Sequence, residues 1–214
     1  MSEGAIHRMT ADEFLEWDLT APDHRHELVD GVPVPQHGWR DDGPVAMTGA
    51  SQRHDLIVVN VLGELRAKLR GGPCRPLTAD VAVRIPNGQV RRPDVGVHCS
   101  AFNENAPSTA EPTLVVEVLS RSAESTDRYR KLEEYKTVPS LRHILLVDPA
   151  TPQAVLWSRD AAGAWGYAVL TGLDAMAEFS GIGASLRLAD IYEGLTFRPA
   201  PRLVMEPPPT LPQA

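Results

Sequence analysis

From Thr113 to Leu119 the chain reads TLVVEVL, apolar on both sides of an extended strand except at Glu117. A strand that offers apolar side chains to both faces belongs in the interior of a sheet covered by helices. A carboxylate between valines in such a strand is costly unless a cation neutralises it. Arg92-Pro93-Asp94-Val95 sets a second carboxylate at the start of the apolar strand before it. Two acids on neighbouring strands, with Lys131 on the helix that follows, could hold a divalent metal and aim it at a phosphate.

The elements around this pair are readable from pattern. Thr10-Ala11-Asp12-Glu13 is a capping box that opens a short helix carrying Phe14 and Leu15 and ending near Trp17. Asp30-Gly31 joins two short strands in a tight hairpin. Residues Gln36 to Ala50 read as a loop. Ser51 caps a long helix with Leu56, Val59, Leu62, Leu65 and Leu69 at helical spacing, stopped by Gly71-Gly72-Pro73. A strand begins at Leu77, Val81, Val83 and Ile85 alternate, and Asn87-Gly88 turns the chain into a returning partner from Val90 to Val97. After Glu117 a helix runs from Ser125 or Thr126 through Tyr135, and His143 to Val147 forms another apolar strand. Ala154–Trp157 and Trp165–Leu170 make a late hairpin, and a last helix covers Leu188 to Tyr192. This order gives an α/β class, a mixed central β-sheet flanked by helices, with an N-terminal helix and β-hairpin. Residues 1–8 are read as a flexible N-terminus, 9–197 as a single domain, and the proline-rich stretch 198–214 as a disordered tail.

The bulk numbers narrow the class. With 214 residues, 43% apolar and 23% charged, the chain can bury a sizeable core without staples. A net charge of −7 argues against a sequence-blind DNA coat, which needs clustered Lys and Arg, but leaves room for a local basic patch. No window reaches the length of an apolar membrane span, and no signal-peptide core is present. Only Cys74 and Cys99 occur, in no ligand-like spacing, which argues against a disulfide scaffold or zinc knuckle; they are read as structural or incidental thiols in a reducing, cytoplasmic setting. No glycine-rich phosphate loop follows a strand, so nucleotide-binding folds have no motif to stand on.

Magnesium takes oxygen ligands, commonly one or two protein carboxylates, and fills its remaining positions with water and substrate phosphate. Asp94 and Glu117 suit that role, with the main-chain carbonyl of Val118 a third donor; Mn²⁺ is an expected substitute. Lys131 lies close enough in sequence to return its ammonium to the end of the Glu117 strand, where it can neutralise a developing oxyanion. Glu27 is a fourth candidate, as a further ligand or a base. Plainer readings exist for each: Asp94 as a turn residue, Lys131 on a solvated helix face, Glu27 in a cross-strand ion pair, His54 as a surface histidine. Arg91 and Arg92, with Arg121, Arg128 and Arg130, are candidate phosphate contacts.

As a set, Met9 to Leu15, Glu27-Leu28-Val29-Asp30-Gly31, Arg92-Pro93-Asp94-Val95, Leu114 to Ser120, Asp127 to Lys131 with Tyr135, and Leu146-Val147-Asp148-Pro149 resemble the Uma-type restriction endonuclease family. The resemblance runs from about Met9 to Leu195. It implies the restriction-endonuclease-like, PD-(D/E)XK fold, a magnesium-dependent phosphodiesterase site and a homodimer. By position Asp94 is the first acid of that motif and Glu117 the second. The general pattern has lysine two residues after the second acid, where this chain has Leu119; the resemblance implies that Lys131 supplies it from the next helix. The stretch Gln36 to Gly49 is longer and more polar than the family leads one to expect.

The expected activity is metal-dependent hydrolysis of phosphodiester bonds, with DNA the expected substrate. The competing expectation is a non-catalytic interaction module that keeps the fold without turnover. A metal-independent hydrolase using Glu27 and Glu117 has no further support in the sequence.

Overall fold

The computed structural model describes residues 8–21, 26–35, 39–40, 43–44, 51–119 and 125–197, with the backbone alone considered at 39–40, 43–44 and 125–128. The Thr10–Glu13 capping box forms, the Thr10 amide donating to Glu13 Oε2 at 2.8 Å. It starts α1 (Ala11–Thr20), three residues longer than the pattern suggests. Strands β1 (His26–Val29) and β2 (Val32–Pro35) follow, joined at Asp30 and Gly31, whose φ values of +51° and +77° are those of a tight hairpin turn. Two short strands, β3 (Trp39–Arg40) and β4 (Gly43–Pro44), pair with each other inside the expected loop.

Ser51 accepts the His54 amide proton and opens α2 (Gln52–Lys68). Its buried stripe is Ile57, Val61, Leu65 and Leu69, each four residues on from the last, whereas Val59 is 55% exposed. The expected stripe through Leu56, Val59 and Leu62 was thus rotated, because both sets fit a helical period and only the sheet beneath selects one.

The next strands are β5 (Arg75–Thr78), β6 (Ala82–Arg84), β7 (Val90–Arg91) and β8 (Val95–His98). The expected single returning strand from Val90 to Val97 is divided. β7 pairs with β6 and β1 in one sheet, and after Arg92-Pro93-Asp94 the chain enters a second sheet as β8. Pro93 has no N–H to continue a ladder, which suits the break. Strand β9 (Ser108–Thr109) precedes β10 (Pro112–Val118), α3 (Ser125–Lys136) and β11 (His143–Asp148). Then come β12 (Gln153–Arg159), β13 (Trp165–Thr171), a hairpin of β14 (Met176–Phe179) and β15 (Ala184–Arg187) that the pattern did not predict, and α4 (Leu188–Ile191).

Besides the two-stranded β3–β4 and β14–β15 pairs, the described strands form two larger sheets, so the central sheet is joined by a second one that the pattern did not predict. The larger has the order β13-β12-β11-β10-β8-β5 and the other β2-β1-β7-β6-β9. β10 runs parallel to β11 and antiparallel to β8, so the crossover through α3 encloses its interior position. Leu114, Val116 and Val118 pack with Ile57, Val61 and Leu65 of α2. Val115 turns the other way, against Leu132 and Tyr135 of α3. Each such side chain contributes about 1.5–3 kcal/mol by leaving water. Alternation then places Glu117 on the α3 face.

β5 and β8 are neighbours, with Arg75 opposite His98. One step further out Cys74 meets Cys99, and the two form a disulfide. The reading of these residues as separate thiols is corrected, and the case for a reducing compartment loses its premise. No described helix is long and apolar enough to cross a membrane.

Candidate active site

The β8–β10 ladder ends at Val116↔Val95, with Asp94 and Glu117 the next residue of each chain segment. Both acids thus stand where β10 ends and the chain turns toward α3. Asp94 Oδ2 accepts the Val118 amide proton at 2.7 Å and lies 3.4 Å from His54 Nε2 in the first turn of α2. Hydrogen bonding to Asp94 raises the His54 pKa above its ordinary value, against the opposing effect of burial.

Glu117 accepts the Tyr135 phenol proton on Oε1 at 2.8 Å. Burial pushes its carboxyl up to about 7; the negative charges of Asp94 and Glu27 push the same way, while Lys131 and the Tyr135 hydrogen bond oppose them. Burial and the adjacent Glu117 charge raise Tyr135 well above an ordinary phenol, so it stays a proton donor.

Lys131 reaches the site from α3, its Nζ 3.0 Å from Glu27 Oε1. Glu27 is 4% exposed and serves several donors at once. Besides Lys131 it accepts the Arg92 amide at 3.0 Å and Arg91 Nη1 at 3.0 Å. Burial alone would raise its pKa, but Lys131, Arg91 and the Arg92 amide outweigh burial and hold it below the ordinary value. Arg91 and Lys131 supply ion pairs of the kind the plainer reading of Glu27 expects.

Asp94, Glu117, Lys131 and Glu27 therefore gather in one connected cluster, with Val118 bonded to the first of them. The arginines do not join it as free cations. Arg91, 1% exposed, is held by Glu27 and by Glu134, the latter at 2.6 Å. Arg92 donates to the carbonyls of His26 (3.0 Å), Ala79 (2.8 Å) and Asp80 (2.7 Å) and pairs with Asp18. In this arrangement neither presents its guanidinium to a phosphate: positive charge marks a partner, and here the partners are internal. Arg130 pairs with Asp30 and Glu134. Arg121 and the side chain of Arg128 lie outside the described residues.

Sequence reasoning undervalued His54 and Tyr135. Tyr135 had a legible signal, because it follows Lys131 by four residues and so shares its helix face. His54 had none, since only the packing of α2 on β8 brings it to Asp94. Among the described residues, no group of three or more His, Cys, Asp or Glu side chains is arranged to hold a metal. The donors at the site are two carboxylates and main-chain oxygen.

A crystal structure titled as a putative nuclease belonging to DUF820, from Anabaena variabilis, superposes with a TM-score of 0.63 over 86% of this chain and 97% of that one, at 16% identity. The shared feature is the fold. Uncharacterized protein slr1290 of Synechocystis sp. is 31% identical over 192 residues, covering 89% of this chain and 94% of its own. A second Synechocystis protein, sll1609, is 26% identical over 80% of this chain and 93% of its own. The family model Uma2, described as "Putative restriction endonuclease", matches residues 11–189, and the chain belongs to that family.

Proposed function

We propose that the chain is a metal-dependent nuclease that hydrolyses phosphodiester bonds, with DNA as substrate. The observation that carries this reading is the convergence of Asp94 and Glu117 at the end of β10, where Asp94 is bonded to the Val118 amide and Lys131 stands close enough for its charge to act on Glu117.

The donor set fits a hard divalent cation. Burial pushes Glu117 up to about 7 against the pull of Lys131, so its carboxylate lacks the solvation that a bound cation would supply. Mg²⁺ needs few protein ligands, and Asp94, Glu117 and the Val118 carbonyl would hold it, with Mn²⁺ as a substitute. When bound, such an ion supplies Lewis acidity toward a phosphodiester. The remaining work falls to the chain. Tyr135 occupies Glu117 Oε1 and leaves Oε2 for the cation. Lys131, steadied by Glu27, offers a fixed positive charge where negative charge develops on the phosphoryl oxygens. Glu27 thus completes the site as a holder of Lys131, its oxygens already engaged with other donors.

The test is incubation of the purified chain with supercoiled DNA, linear DNA and RNA, in Mg²⁺, Mn²⁺ or chelator, beside Glu117→Ala. Cleavage that needs the metal and vanishes in the variant supports the reading. Cleavage that persists in Glu117→Ala, or none on any substrate with Mg²⁺ bound, refutes it and favours the interaction module.

A further inference from the structure

Three strands away from the acids, the large sheet ends in β13, and its outer side differs from every other described sheet edge. Edge strands invite unwanted pairing, and proteins guard them with proline, charge or brevity. β2 carries Pro33 and Pro35, β5 carries Arg75 and Pro76, and β9 is two residues long. The strands of the β14–β15 hairpin are four residues each, with Glu178 and Arg187 among them. β13 has no such guard. Its seven residues, Trp165-Gly166-Tyr167-Ala168-Val169-Leu170-Thr171, contain neither proline nor charge. They pair with β12 at every position without a shift in register, and among the described residues nothing pairs with the other side. Tyr167 and Val169 stand 65% and 59% exposed on one face, and the exposed Leu173 and Met176 follow in the chain.

We propose that β13 is the homodimer interface: the edges of two copies pair antiparallel about a two-fold axis at Ala168, joining two six-stranded sheets into one. The strand favours its own copy as occupant for a reason visible in its sequence. A two-fold axis at Ala168 sets Tyr167 of each copy across from Val169 of the other, an aromatic and β-branched pair of the kind that stabilises sheets. It also sets Gly166 across from Leu170, so the bulkier side chain meets open space. A neutral strand meets no like charge in its twin. An interface of this kind is isologous and closes at two copies, leaving no second free edge at β13. The surface is independent of the nuclease reading, because mass and cleavage are separate readouts.

The experiment is sedimentation velocity on the full chain and two double variants, with far-UV circular dichroism to confirm folding. The wild-type chain is expected at twice its monomer mass. Tyr167→Lys with Val169→Lys sets lysine against lysine twice and should weaken association about tenfold or more. Tyr167→Glu with Val169→Lys sets glutamate against lysine in the same two places and should restore the dimer. If the double-lysine variant fails to fold, the glutamate–lysine variant still tests the register against wild type. A wild-type monomer at the highest attainable concentration overturns both the dimer and its surface, and leaves the edge to another partner. A dimer indifferent to both substitutions keeps the oligomer but removes β13 from it. Loss in both variants overturns the pairing about Ala168.

Discussion

Val118 donates its amide proton to Asp94 Oδ2 at 2.7 Å, so the strand carrying the second acid grips the first. In an antiparallel ladder one residue's N–H and C=O address the same neighbour. The Val118 carbonyl therefore leaves β10 on the side of Asp94, while the Leu119 amide turns to the Val147 carbonyl of β11. Asp94→Asn keeps an acceptor for Val118 and removes the charge. It should fold normally yet lose Mg²⁺ binding measurable by calorimetry; retained binding would show that the carboxylate is structural.

Lys131 donates to Glu27, and its charge bears on Glu117. Lys131→Ala should lower the turnover rate more than it changes metal affinity. Equal losses in both would assign the ammonium to holding the fold.

Tyr135→Phe removes the phenol proton that lowers the Glu117 pKa. A hydrogen bond to a charged group is worth about 1.5–3 kcal/mol. Glu117 should then titrate still higher, and Mg²⁺ binding should weaken near neutral pH and recover in alkali. A deficit of the same size at every pH would mean that the hydroxyl acts through packing alone.

The pH response of the metal-free chain follows from Glu117. Its carboxyl is pushed by burial from 4.5 to about 7, so between these values the folded chain keeps a proton that the unfolded chain has released. Stability attributable to this residue must therefore fall as pH rises through that window and level off above it. Thermal melts of the wild-type chain and Glu117→Gln should diverge in favour of Gln across the same range, and added Mg²⁺ should reduce the gap. Parallel curves would locate the acid in water.

Glu27→Ala leaves Arg91 charged, buried and short of a partner. Breaking a buried ion pair from one side costs about 3–5 kcal/mol. Denaturant titration should show a loss of that order, even without metal. A small loss would mean that Glu134 and Gln89 suffice for Arg91.

The Cys74–Cys99 bond closes a loop with a sequence separation of 25. Cross-links of that span stabilise by about 3 kcal/mol through the unfolded chain. Intact mass before and after reduction and alkylation should reveal the bond, and reduction should lower the melting temperature. Two freely alkylating thiols in the unreduced protein would refute it.

Much of this was legible in the chain because its causes are local. The expense of Glu117 within a valine run, the Thr10 cap and the Asp30-Gly31 turn depend on near neighbours in sequence. The rest depends on which strands meet. Residue type marks Cys74 and Cys99, but only the β5–β8 register joins them. Arg92 reads as a phosphate contact until the carbonyls of His26, Ala79 and Asp80 converge on it. The Val90–Val97 strand looks continuous because periodicity carries no trace of which sheet each half enters. Arg121 and the proline-rich stretch 198–214 fall outside the described residues.

The handover at Arg92-Pro93-Asp94 ties the acid to material far from it in sequence. Two residues before Asp94, one guanidinium is bolted to α1 through Asp18, to β1 through the His26 carbonyl, and to the turn before β6. The opening helix and hairpin thus serve as the foundation on which the first acid stands. A fragment beginning at α2 would leave the first acid without the helix and hairpin that hold its segment in place.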